Sequence, residues 1–180
     1  MAMTAVRGRA NLRGDRVVLR AVELSDIDFM YGVENDLANW GVSGTTLPFS
    51  QYILERFVEA QSEDLAVTRQ LRLIITTLTG ESVGTVDLFE YDPFNHRAGV
   101  GIFIVEPQRK QGYAADALQV VAAYAKRVLQ LHQLWCGVEA TNTASLDLFK
   151  QQGYTQVGNK REWLWREGGY VDEVTLQKIL

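Results

Sequence analysis

One cysteine, two histidines and three prolines are all that these 180 residues contain of the types that staple, ligate or kink a chain. A lone thiol, Cys136, excludes an intramolecular disulfide and any CxxC metal motif, and with only His96 and His132 beside it a zinc site is not expected. No metal is expected. Long apolar runs are also missing. Nothing reaches the length needed to cross a bilayer, and Met1 to Arg16 carries arginines without the apolar stretch of a secretion signal. A cytoplasmic protein without membrane attachment is expected. Strong charge of either sign is absent too: a net charge of −4 gives bulk electrostatics no hold on nucleic acid, whereas a local cluster of carboxylates would favour a cationic substrate. Repeats, low-complexity tracts and linkers are lacking. With 47% hydrophobic residues the chain can bury one good core, so a single domain over 1–180 is expected.

What is present is periodicity. Arg16-Val17-Val18-Leu19-Arg20 reads as a first strand, and Ser25 is read as the cap of a helix ending near Glu34. Asp36 to Gly44 reads as a loop with one large aromatic, Trp40, a candidate substrate lid. A second amphipathic run covers Tyr52 to Val58. From Gln70 the period becomes two: Leu71 to Thr77 and Val83 to Glu90 flank the turn Thr79-Gly80-Glu81 as a hairpin, and Arg97 to Val105 supplies a third strand. A helix to about Leu129 carries Leu118, Val121, Ala122, Ala125 and Val128 on one face. Leu134 to Glu139 is the next strand, and Glu162 to Arg166, Gly168-Gly169 and Tyr170 to Leu176 make a closing hairpin. The order βααβββαβαββ predicts an α/β (α+β) protein, a mixed sheet with helices on both faces.

The organising stretch is the strand Val100 to Val105, the polar turn Glu106 to Gln111, and Gly112-Tyr113-Ala114 opening the helix. Amides at a helix N-terminus lack intrahelical acceptors and sit at the positive end of the macrodipole, so they bind phosphate where no side chain blocks the approach. Gly112 and Ala114 keep it open. Arg109 to Ala114 fits the pattern Q/R-x-x-G-x-G/A, and downstream come the strand Leu134 to Glu139, the segment Asn142 to Phe149, and Gly153-Tyr154. In that order and spacing the chain resembles the GNAT family of acetyl-CoA-dependent N-acetyltransferases, whose fold is a mixed, mostly antiparallel sheet. Leu19 to Asp26, Val86 to Glu90 with His96-Arg97-Ala98, and Glu167 to Asp172 look most like the spermidine/diamine N-acetyltransferases and the ribosomal-protein N-terminal acetyltransferases.

The resemblance implies acetyl-CoA as co-substrate. The Ile104-Val105 backbone would pair with its pantetheine arm, the amides of Gln111, Gly112, Tyr113 and Ala114 would hold its pyrophosphate with Arg109 and Lys110 adding charge, and Asn142 and Phe149 would contact pantetheine. The family's strand glutamate falls at Gly99, and its thiolate-protonating tyrosine at Phe149, so Ser145, one helical turn earlier, is the candidate acid. A protonated amine needs a proton acceptor. Glu34, Asp36, Asp87, Glu90, Asp92 and Glu139 are the candidates, with Asp87 and Glu90 favoured, and Glu34, Asp36, Trp40, Asp87 and Glu90 are expected at the substrate. Phe89, Tyr91 and Phe94 are further candidates to line an aliphatic slot. Cys136 reads as buried and unreactive, and both histidines as structural. Three functions follow: a polyamine or diamine acetyltransferase, a protein Nα-acetyltransferase, or an idle acyl-CoA sensor. A small-molecule amine partner and a homodimer or larger homo-oligomer are implied.

Overall fold

The computed structural model describes residues 12–180; the arginine-bearing start, residues 1–11, lies outside them. Seven strands form one sheet in the order β1-β2-β3-β4-β5-β7-β6, where β1 is Val17–Ala21, β2 Leu71–Thr77, β3 Ser82–Asp92, β4 Arg97–Ile104, β5 Gln133–Glu139, β6 Thr155–Arg166 and β7 Gly169–Ile179. Every neighbouring pair is antiparallel except β4 and β5.

Alternation along the strands sorts side chains to two faces. Leu73, Ile75, Val86, Leu88, Val100, Leu134, Cys136, Val138 and Leu176 are buried against helix α5 (Tyr113–Arg127), which contributes Ala117, Leu118, Val121 and Ala125. Ile74 faces the other way. There it meets Met30 of α1 (Ile27–Glu34) and Leu54 of α3 (Gln51–Ala60) in a second, smaller core. Helices therefore cover both faces, as the element order predicts. Val128 departs from the expected stripe: it follows the last turn of α5 and is exposed.

Several segments differ from the sequence reading. Asp36 to Gly44 is a short helix, α2 (Leu37–Ser43), whose Asp36 carboxylate accepts the Ala38 amide and whose last carbonyls are closed by Gly44 at φ 72°. Ser25 is no cap; it lies inside a 3₁₀ turn, Leu24–Asp26, where Asp26 accepts the Glu23 amide and grips Arg20 through both oxygens at 2.7 Å. A four-residue helix α4 (Leu65–Thr68) precedes β2. β6 begins seven residues earlier than expected. The last helix, α6 (Thr143–Gln151), follows β5.

Pairing between β4 and β5 stops after three positions, Arg97 with Gln133, Ala98 with Leu134 and Gly99 with Trp135. Beyond Gly99 the two strands part, β4 staying with β3 and β5 with β7. The gap opens toward their C-terminal ends, where α5 and α6 begin. In open α/β sheets that is where ligands bind.

Candidate active site

Strand parity decides which backbone groups face the gap. The Val105 amide donates to the Val83 carbonyl of β3 at 3.0 Å, so the β3-facing set runs through Val105, Phe103 and Gly101, and the groups of Ile102 and Ile104 point into the gap. Arg109 Nε claims the Ile104 carbonyl at 3.0 Å. Of the expected pair, Val105 is thus committed inside the sheet. Ile104 keeps its amide, and Ile102 joins it.

At the end of β4 the chain turns through Lys110 at φ 62° and Gly112 at φ 83° into α5. Asp116 is the first residue of that helix whose amide finds an intrahelical carbonyl, that of Gly112 at 3.1 Å. The amides of Tyr113, Ala114 and Ala115 are left over. Asp116 does a second job: its buried carboxylate accepts the amides of Asp15, Arg16 and Val17 at 3.2, 2.8 and 2.9 Å. That anchorage brings in a residue the sequence reading missed. Arg16 lies with Nε 3.2 Å from where a Cβ of Gly112 would stand, and its guanidinium has no hydrogen-bonding or ionic partner among the described residues. A cation beside the positive end of a helix is unfavourable until an anion joins them.

Across the gap, the Asn142 carbonyl oxygen caps α6 by accepting the Ser145 amide at 3.1 Å, and its NH₂ has no partner among the described residues. The Ser145 hydroxyl is half-buried and has no partner among the described residues. Phe149, 4% exposed, belongs to the core and meets Tyr154 edge-on with centroids 5.0 Å apart. The Tyr154 hydroxyl is buried without a partner among the described residues, and burial, with Cys136 nearby, raises its pKa.

The face away from α5 is where an acceptor must enter. A Cβ on Gly99 would stand 2.3 Å from the Phe89 ring, so Phe89 lies over the glycine. The same ring meets Trp135 edge-on at 5.3 Å. On β5 the Cβ position of Gly137 is 2.6 Å from the carboxyl carbon of Glu173, whose Oε1 accepts from Lys160 at 2.6 Å. Glu139 accepts from Arg166 at 2.6 Å and from the Thr141 hydroxyl, and those bonds, Thr141 first, lower its pKa. At the paired end of the strands a cavity of about 380 Å³ is lined by Glu90, Arg97, Trp135, Thr175 and Gln177 among others.

A family model described as an acetyltransferase (GNAT) domain matches residues 16–155. The chain belongs to the GNAT acetyltransferases. The uncharacterized N-acetyltransferase p20 of Bacillus licheniformis is 27% identical over 160 residues, covering 88% of this chain and 89% of that protein. The spermidine N(1)-acetyltransferase of Escherichia coli K12 is 21% identical over 168 residues, covering 89% and 84%. Among solved structures, the spermidine N-acetyltransferase of Vibrio cholerae, in complex with CoA and spermine, superposes with a TM-score of 0.83 at 20% identity over 91% of this chain and 95% of that one. A dodecameric form of that enzyme gives 0.76 at the same identity, over 91% and 93%. This acetyltransferase is an enzyme that uses acetyl-CoA, which sets the idle-sensor reading aside. An open strand edge, three spare helix amides and a turn whose Gly112 carries no side chain suit a thioester on a phosphorylated arm.

Several residues expected at the substrate are otherwise engaged in this acetyltransferase. Arg72 of β2 lies directly opposite Asp87 in the ladder and takes it at 2.8 and 3.3 Å, while its Nη1 holds Glu34 at 2.6 Å. All three side chains are about 15% exposed, and Arg72 also stacks 5.1 Å from the Phe57 ring centroid. Burial works against the Arg72 charge, and Asp87 and Glu34 more than reverse it, leaving its pKa raised. Arg72 thus holds both oxygens of Asp87 and Oε1 of Glu34. Asp36 caps α2, and Trp40 donates to the Glu34 carbonyl at 2.8 Å, which ties that helix down rather than forming a loose lid. Glu90 sits in a bulge at φ 47°, exposed, at the paired end of the sheet. Asp92 is bound to Asn95 and Arg97. Tyr91 packs with the α5-side core, and Phe94 is 89% exposed, so neither lines the gap. Cys136 is buried, as expected, with its pKa pushed up to about 12 by burial and by Glu173, and His96 Nδ1 lies 3.0 Å from the Gln130 carbonyl. Among the described residues no cluster fit for a metal and no helix long and apolar enough to cross a membrane occurs.

Proposed function

We propose that this enzyme acetylates a primary amine carried on an aliphatic chain, of the diamine or polyamine class. The observation that carries the reading is the acceptor face of the gap, where the aromatic pair Phe89 and Trp135 lies beside the Glu173 carboxylate, whose Oε2 has no donor among the described residues. Such a surface offers methylene contact and cation–π attraction next to anionic oxygens. The amine-acetylating relatives point the same way. In this reading the Ile102 and Ile104 amides pair with the pantetheine arm, while the Gln111 to Ala115 amides, Arg109, Lys110 and Arg16 hold the diphosphate. Asn142 bonds the arm through its NH₂. Ser145 hands a proton to the departing thiolate, a step worth little because thiols have pKa values near ~8.5. The exposed β6 edge and the hairpin aromatics Trp163, Trp165 and Tyr170 suit a homo-oligomer contact.

A second reading, acetylation of a peptide α-amine, is favoured by the Arg72 cluster, which removes two carboxylates from any polycation site. Release of CoA thiol against spermidine, putrescine, simple monoamines and basic N-terminal peptides separates the two. Spermidine or putrescine should give the highest kcat/KM, and Ser145→Ala should lower kcat severalfold with unchanged KM values. Preference for a peptide by tenfold or more would overturn the polyamine reading.

A further inference from the structure

We infer that Glu173, on β7, is the group that takes the proton from the attacking amine. The inference rests on the amine-acetyltransferase reading and adds a residue to it. An alkylamine is almost entirely protonated at neutral pH, so a proton acceptor must stand on the side of the gap from which the amine comes. The α5 side is filled by core. On the open side most carboxylates are spoken for: both oxygens of Asp87 are held by Arg72, both of Asp92 by Asn95 and Arg97, and those of Glu139 by Thr141 and Arg166. Glu34 belongs to the Arg72 cluster at the end of α1, and Glu90 lies at the paired end of the strands.

Glu173 is placed differently. Gly137 is the first β5 residue on the acceptor face after pairing with β4 stops at Trp135, and it is there that the Glu173 carboxylate lies across the backbone, both oxygens 2.8 Å from the missing Cβ. Any side chain at 137 would displace it. Lys160, its register partner on β6, donates to Oε1 and fixes the carboxylate, while Oε2 has no donor among the described residues. The side chain is 15% exposed, sheltered yet reachable. Oε2 first takes a proton from the ammonium and so frees the nitrogen lone pair; the neutral amine then bonds to the acetyl carbon, the carbon–sulfur bond breaks with its electron pair leaving on sulfur, and the second proton shed by nitrogen ends on the thiolate. The charged or titratable groups around Glu173 are Lys160 on β6, and Glu139, itself paired with Arg166, and Cys136 on β5.

The test compares kcat/KM for wild type, Glu173→Gln and Lys160→Gln between pH 6.5 and 10, with the preferred alkylamine and with an aminooxy analogue that is neutral at pH 7. Glu173→Gln should lose about 10²- to 10³-fold at pH 7 with the alkylamine, regain roughly tenfold per pH unit toward ~10, and lose little with the analogue. Lys160→Gln breaks the same ion pair but keeps the carboxylate, and should retain most of the rate. Melting temperature and CoA affinity report folding; if Glu173→Gln does not fold, Glu173→Asp replaces it and should show the same pH-dependent deficit in weaker form. A deficit equal at every pH and for both acceptors, an equal deficit in Lys160→Gln, or no deficit overturns the assignment while leaving acetyl transfer intact. Wild-type protein inert toward every amine overturns both the assignment and the reading beneath it.

Discussion

A side chain at Gly112 attacks the donor side of the site without touching the acceptor side. The backbone there has φ 83°, and a Cβ would meet Arg16 Nε at 3.2 Å and Cδ at 3.3 Å. Left-handed backbone costs a residue with a Cβ about 1–2 kcal/mol. In a chain of this length that lowers the melting temperature by roughly 2–8 °C. The effect on ligand is larger. Gly112→Val puts a branched side chain among the Tyr113, Ala114 and Ala115 amides and pushes aside the flexible Arg16, so at least one charge-assisted hydrogen bond to a phosphate is lost, each worth about 1.5–3 kcal/mol. Titration calorimetry with CoA should show Kd weakened by roughly ten- to a hundredfold or more, since each 1.4 kcal/mol is a factor of ten. Gly112→Ala should fall between the two. Arg16→Ala gives the complementary result, weaker CoA binding with normal stability, and a steeper loss for CoA than for pantetheine, which has no diphosphate. A folded Gly112→Val protein with wild-type CoA affinity would falsify the placement of phosphate at this turn.

Arg72→Ala leaves Glu34 and Asp87 facing one another without a cation, a loss of about 3–5 kcal/mol that denaturant titration should report, and Arg72→Met with Glu34→Gln and Asp87→Asn should recover most of it. No recovery in the triple variant would show that the cluster is not held by charge. Asp26 is buried, and although burial raises its pKa, the bonds from Arg20 and the Glu23 amide outweigh that and leave it lowered. Its contribution is therefore present above the unfolded-state value near ~3.9 and is lost as pH falls through the lower folded-state value. Thermal melts below about pH 4 should fall more steeply for wild type than for Asp26→Asn, and parallel curves would remove Asp26 from the acid transition.

Most of the framework is legible because period two and period 3.6 are strong signals in a chain that buries a single sheet. The hairpin Leu71 to Glu90 and the helix after Gly112 are of this kind. What escapes is short or polar on both sides. α2 has seven residues, too few to show a period, and its two caps, Asp36 and Gly44, read equally well as loop residues. The first half of β6 is an edge strand exposed almost throughout, so Thr155 to Arg161 has no apolar alternation to reveal it. The glycine turn proposed for the diphosphate is local in sequence, whereas Arg16 is brought beside it by a buried aspartate a hundred residues away. The acceptor half depends on register. Asp87 reads as a free carboxylate until the ladder sets Arg72 directly opposite.

The gap itself explains why a scan of β4 and β5 finds glycine where a functional side chain is sought. Strands β4 and β5 give up pairing after three positions, which exposes backbone that an extended arm can bond, and bulky side chains beside that backbone would obstruct both the arm and the acceptor. Gly99, Gly101 and Gly137 therefore border it. Beside Trp135 and Glu139 of β5, two side chains that border the space come from one strand farther out on each side: Phe89 of β3 lies over the β4 glycines, and Glu173 of β7 lies over the β5 glycine. Each reaches its place only because the neighbour has no Cβ. A glycine on the inner strand and a large or charged residue on the outer one thus form a unit, and neither half has meaning until the strand order β3-β4-β5-β7 is known. In a chain of 180 residues Gly99 and Glu173 stand 74 positions apart, yet both shape the same acceptor face.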